Sequence, residues 1–156
     1  MRLRAMAVVV SLLLLAQPAS VAATAYSAVT HKFLWTPAGY TLTNLCVQAG
    51  EVDVNRNYGQ AQAWVFSGST NCSGTTRTLP SGWLGVFVEG YRDGAYCGSS
   101  GWYYSSQATW AWQLWITLCS NPSGQQSFVS YASGAGYDGS TGYYRSSPVA
   151  SPAQNY

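Results

Sequence analysis

The chain has 156 residues, of which 47% are hydrophobic, 15% aromatic and only 8% charged, with seven Lys and Arg against five Asp and Glu. Intrinsic disorder is excluded, because it requires high charge and few aromatic rings. A footprint for nucleic acid or anionic lipid is excluded as well: Arg2 and Arg4 carry the whole positive excess, and the charges beyond them balance.

Residues 1–23 have the layout of a secretory signal peptide. Arg2 and Arg4 form a positive n-region, Ala5 to Ala16 an apolar run, and Pro18 precedes the small residues "ASVAATA" that supply a cleavage site. The apolar run is too short to cross a bilayer core of about 30 Å, so no membrane span is expected in the mature form. Residues 24–39, "TAYSAVTHKFLWTPAG", are apolar but alternate poorly. They read as a first strand or as an N-terminal arm whose Phe33 and Trp35 are available to a partner.

Residues 40–147 carry the β domain. In "YTLTNLCVQ" Thr41, Thr43, Leu45 and Val47 alternate with Tyr40, Leu42, Asn44 and Cys46, as successive side chains of a strand do. "EVDVNRNYG" continues the strand and breaks at Asn57–Gly59. "QAQAWVFSG" puts Gln62, Trp64 and Phe66 on one face and Ala61, Ala63 and Val65 on the other. "STNCSGTTRTLPSG" is a loop, "WLGVFVEGY" a strand, and "RDGA" predicts a two-residue type I′ hairpin at Asp93–Gly94. After "CGSSG", the run "WYYSS" must place rings on both of its faces. "ATWAWQLWITLC" has Trp110, Trp112, Leu114, Ile116 and Leu118 on one parity, which makes Trp110 and Trp112 core candidates. Trp115 shares its parity with Gln113 and Thr117 and is expected at the surface. "QQSFVSYASG" precedes tight turns at Asp138–Gly139 and Thr141–Gly142, between tyrosine-rich strand pieces. Residues 148–156, with Pro148 and Pro152, read as a C-terminal tail.

No helical period persists beyond the signal segment, and turn signals recur every 8–15 residues or so, as in sandwiches and small barrels. The fold class is therefore all-β: a single-domain antiparallel β-sandwich or small barrel. Cys46, Cys72, Cys97 and Cys119 are an even set suited to an oxidising exterior. Of three connectivities, Cys46–Cys72 with Cys97–Cys119 closes two loops of similar length. A Cys₄ zinc site would normally contain a C-x-x-C pair, and the sequence has none.

Catalytic signatures are scarce. His31 is the single histidine and no nucleophile elbow accompanies it. Glu51 and Asp53 lie two apart on one strand face, near the carboxylate separation of inverting glycosidases, but such pairs generally come from different strands across a cleft. Asp53, Asn55 and Asn57 alternate as in an EF-hand loop, but Tyr58 stands where glycine is needed. No catalytic residue, cofactor or metal is expected, and the chain reads as non-enzymatic.

What remains is a surplus of rings: seven tryptophans, twelve tyrosines and four phenylalanines. Exposed Trp and Tyr among Ser, Gly and Asn make adaptable contact surfaces with little rotamer entropy to lose. Phe33, Trp35, Trp102, Tyr104, Trp115, Tyr143 and Tyr144 are the candidate partner- or ligand-binding residues. The expected partner is another secreted protein, or alternatively a glycan stacked on the rings; nucleic acid is not expected. A third alternative is inhibition of an extracellular hydrolase by the loop containing Arg77.

The leader, apolar arm, four cysteines, "GW" strand starts (Gly82–Trp83, Gly101–Trp102) and Gly/Tyr-rich close "SGAGYDGSTGYYRSSP" together resemble small secreted β proteins of actinobacteria. Some of those are adaptor subunits of umbrella-shaped toxin particles, linking a lectin-like subunit to a large repeat-containing toxin subunit. The resemblance implies a secreted, non-enzymatic adaptor and transfers no site residue.

Overall fold

The computed structural model describes residues 25–52, 58–120 and 124–155, so the expected signal segment and the stretch "DVNRN" lie outside the described residues. Two antiparallel sheets face each other. In the first, β1 (Ala25–Tyr26) and β2 (Thr30–Trp35) follow one another along one edge of β3 (Thr43–Val52). β3 pairs with β4 (Tyr58–Ser67), and β4 with β8 (Ala111–Thr117). In the second, β5 (Leu84–Arg92) pairs with β9 (Ser127–Tyr137). β6 (Ala95–Ser99) and β7 (Tyr103–Tyr104) line the free edge of β5. β10 (Tyr143–Arg145), β11 (Val149–Ala150) and β12 (Gln154–Asn155) line that of β9. The sheets do not close into one another, so of the two expected architectures the chain adopts the sandwich.

The period-2 pattern explains which residues point inward. Leu45, Val47 and Ala49 from β3, Ala61, Ala63 and Val65 from β4, and Leu84, Val86 and Val88 from β5 are fully buried. Trp112, Leu114, Ile116 and Leu118 pack against this core from the β8 segment. Trp110 does not: it is 42% exposed. The bridge between Leu79 and Thr109, followed by a bend, takes residue 110 out of the strand before the alternation begins.

Glycines set the spacing between the layers. A Cβ at Gly134 would lie 2.7 Å from Val47 Cγ2, and one at Gly136 would lie 2.6 Å from the Trp35 indole. Gly134 and Gly136 sit inside an 11-residue strand. Their hydrogen side chains admit the opposing sheet.

The arm and tail are also built in. β2 bonds to β3 from Thr30 to Trp35, and Trp35 is buried at one end of the core, donating its Nε1–H to Tyr137 O at 3.2 Å. Residues 24–39 are thus an edge of the chain's own sheet rather than a free arm, because burying Phe33 and Trp35 removes apolar surface from water. Residues 148–156 are no loose tail either. Val149 and Gln154 sit opposite Ala132 and Phe128, and buried Ser151 exchanges hydrogen bonds with Ser130.

The two disulfides are Cys46–Cys72 and Cys97–Cys119, closing 26- and 22-residue separations. The first pins the 68–80 loop onto the outer face of β3, and buried Asn44 donates to Asn71 O beside it. The second ties β6 in one sheet to the residues just after β8 in the other, so it crosses between layers. In the chain-entropy model each contributes roughly 3.5 kcal/mol. Two such bonds belong to a protein of an oxidising environment. The type I′ hairpin forms as expected: Asp93 and Gly94 have φ of 50° and 78° between the paired Arg92 and Ala95.

Glu51 is the exception to an apolar interior. It is 2% exposed, and Ser130 of the opposite sheet donates its hydroxyl to the carboxyl. Burial raises its pKa from 4.5 to about 7, against a smaller lowering by the Ser130 bond. Glu51 therefore lines no cleft, and the Asp53 half of the glycosidase-like pair is outside the described residues. Since the unfolded chain releases this proton more readily than the folded one, the stabilisation is complete below pH 4.5 and fades as pH rises towards about 7. The loss amounts to about 3 kcal/mol. Urea midpoints measured from pH 4 to pH 8 are expected to fall for the wild type and stay nearly level for Glu51→Gln. Independently, Gly134→Ala should overpack the interior and lower stability by about 1–3 kcal/mol in the same assay.

Candidate recognition face

The odd-numbered residues of β5 and β9 face away from the core, and most of them are rings or very small. Phe87 and Tyr91 project from β5, and Tyr131 and Tyr137 from β9, around Gly85, Ser133 and Ala135. Tyr104 on β7 lies against Gly85, where a Cβ would come within 2.6 Å of its ring. From Tyr104 the rings run in two directions. Tyr143 lies 4.4 Å away, then Tyr137 at 5.0 Å and Trp83 at 5.4 Å. On the other side Trp102 stacks at 6.2 Å, with Phe87 5.4 Å beyond. Tyr131, Tyr91 and Tyr96 form a second run on the same sheet, at 5.0 and 5.6 Å.

Two arginines border this surface. Arg145 lies 5.0 Å above the Trp102 ring, and Arg77 5.7 Å from the Tyr40 ring beside Trp83. Cation–π contacts of this kind contribute about 0.5–1 kcal/mol at exposed sites. Arg77 also donates to Thr41 Oγ1 and Ser67 Oγ, so it is tied to the body of the protein and does not protrude as a protease-specificity residue would. The Tyr143 phenol donates to Gly82 O at 2.7 Å. Its partial burial, with Tyr104 and Tyr137 alongside, holds its pKa above the usual tyrosine value, so it stays a neutral hydroxyl.

Most neighbouring rings meet at tilted or edge-to-face angles, from 32° between Phe87 and Trp102 to 75° between Trp83 and Tyr137. Ring faces are thus partly taken up by neighbouring edges, or in Trp102 by Arg145. Such a surface can exchange hydrogen bonds and bury rigid apolar area, and it includes the Glu89 carboxylate, opposite Tyr131 and next to Tyr91. Among the described residues no group of three His, Cys, Asp or Glu side chains is placed to hold a metal ion. His31 Nδ1 faces Asn44 Oδ1.

The seven ring positions expected from the sequence fall into three places. Trp102, Tyr104 and Tyr143 come together on the face just described. Phe33, Trp35 and Tyr144 meet at the lateral edge between the sheets, with centroids 5.3 Å (Phe33–Trp35) and 6.0 Å (Phe33–Tyr144) apart. There Trp35 is sealed and Tyr144 is 52% exposed. Trp115 stands on the opposite side of the sandwich, 43% exposed. Sequence reasoning missed Trp83, Phe87, Tyr91, Tyr131 and Tyr137. Their signal was nevertheless present: in "WLGVFVEGY" and "FVSYASGAGY" every ring except the buried Phe128 holds an odd number, while the other even positions are aliphatic or small. No protein-family model, curated protein or solved structure matches the chain.

Gly85 is the position on which the ring surface rests. Gly85→Ala is expected to lift Tyr104 from the sheet and cost about 1–3 kcal/mol. Near-ultraviolet circular dichroism would show the change in ring packing, with the far-ultraviolet β signal retained.

Proposed function

We propose that the chain is an exported, non-enzymatic recognition subunit that binds another protein through the ring-paved outer face of its second sheet. The observation that carries this reading is the continuity of that face. Its rings touch one another from Trp83 to Phe87, and they rest on glycine and alanine that leave no space beneath. Centres of protein interfaces are enriched in Tyr, Trp and Arg, and this face is rich in Tyr and Trp with Arg145 over Trp102 at its border and Glu89, opposite Tyr131, as a carboxylate within it. Rings already wedged against each other lose little freedom on binding, which favours affinity. The signal-like leader and two disulfides support export. An adaptor, the role implied by the resemblance to actinobacterial toxin subunits, must hold two partners at once, and a sandwich has two outward faces to offer.

Deleting the N-terminal strand is a poor test, since β2 and Trp35 belong to the fold. Substitutions on the ring face are better. Tyr96 is 57% exposed and Trp102 only partly buried, so Tyr96→Ser and Trp102→Ser should fold. Immobilised wild-type protein is expected to capture a defined secreted protein from the producing organism's culture medium. Each variant should weaken that capture about tenfold or more, as loss of an interface anchor does. Trp115→Ser, on the opposite face, should leave it unchanged. Equal capture by all four proteins would refute the assignment.

A further inference from the structure

The outer face of the first sheet is built differently, and its register is informative. Trp64 pairs with Ala111, Gln62 with Gln113, and Gln60 with Trp115, on three successive same-face rows of β4 and β8. Rows on one face are about 6.7 Å apart, so the two indoles lie about 13 Å apart along the strands with the glutamine pair between them. Because Ala111 is small where it faces Trp64, a pocket of about 330 Å³ opens there, lined by Gln62, Trp64, Ala111, Trp112 and Gln113. None of these carries a charge. Among the described residues, no side-chain hydrogen bond engages Gln62 or Gln113, whereas Gln48, next in the same row, is bound to Ser27 O. Trp64 in turn sits opposite Cys46, whose disulfide holds that part of the sheet.

From this arrangement we propose a second binding site, independent of the ring-paved face, that takes a neutral saccharide between Trp64 and Trp115. The chemistry is selective. A pyranose offers an apolar C–H face, which stacks on an indole, and a rim of hydroxyls that both donate and accept. A carboxamide is a neutral side chain that does both, through its NH₂ and its carbonyl. Here two of them stand side by side at the mouth of the pocket. An anionic ligand would meet no cation, and a purely apolar one would strip the amides of water without replacing their hydrogen bonds. The separation of the indoles favours a short oligosaccharide over a single sugar. Trp115 is 43% exposed and, among the described residues, makes no ring contact, unlike the rings of the opposite sheet.

The test is tryptophan fluorescence and calorimetric titration of the intact folded protein. The probes are neutral hexasaccharides of β-1,4-glucose, β-1,4-N-acetylglucosamine, β-1,4-mannose and α-1,4-glucose. At least one should bind and perturb the fluorescence. Gln113→Ala, at an exposed position, should weaken that binding roughly fivefold to tenfold, the effect of one lost hydrogen bond. Ala111→Leu should abolish it by filling the pocket. Tyr96→Ser should have no effect, which separates this site from the proposed protein interface. Should Trp64→Ala disturb the fold, Gln113→Ala and Ala111→Leu remain decisive. Failure of all four sugars to bind at millimolar concentration, or binding indifferent to both variants, would overturn the assignment.

Discussion

Close approach of the two sheets on residues that have almost no side chain governs the rest of this molecule. Ala49, Ala61, Ala63 and Ala132 are wholly buried between the layers, and Gly59, Gly134 and Gly136 have no room for a Cβ. An interior this shallow accepts Leu and Val but few rings. Trp35 enters at one end because Gly136 makes way for it. Hydrophobic burial alone would draw the other indoles and phenols inside. Steric exclusion from a glycine–alanine interior is stronger, since interiors pack as densely as organic crystals and cannot expand locally without strain.

Displaced rings then solve their exposure by sheltering one another. On the second sheet they pack edge to face over Gly85 and Ala135, so even half-exposed tyrosines contact apolar neighbours. This arrangement holds its rings in fixed mutual contact, which is a property of a surface prepared for a protein. On the first sheet the 68–80 loop and the Cys46–Cys72 bond cover one end, leaving a glutamine-and-indole strip at the other. The second disulfide clamps β6 to the end of β8, so both outer surfaces are held on one stiff frame.

How far this was legible depends on the range of the interaction. The Asp93–Gly94 hairpin was readable because its determinants are two adjacent residues that tolerate positive φ. Parity separated the aliphatic from the ring-bearing face of β5, although only the folded sheet shows that Phe87, Trp102, Tyr104 and Tyr143 converge. Trp110 misled because a bridge from Leu79 bends the chain just before the strand. The part played by Gly134 and Gly136 was not legible at all. A glycine that spaces two sheets and a glycine that makes a turn look alike in one dimension, and only the facing Val47 or Trp35 tells them apart.

By itself, then, the order of residues determined what is local: the period-2 strands, the tight hairpin, the even cysteine set and the absence of any helical repeat. Tertiary structure alone decided that residues 25–35 and 149–155 close the edges of the chain's own sheets, that Glu51 is buried against Ser130, and that Trp115 and Trp102 look out from opposite sides. Local features follow from backbone preferences acting over two or three residues. The others follow from contacts between segments tens of residues apart, and those exist only once both sheets are in place.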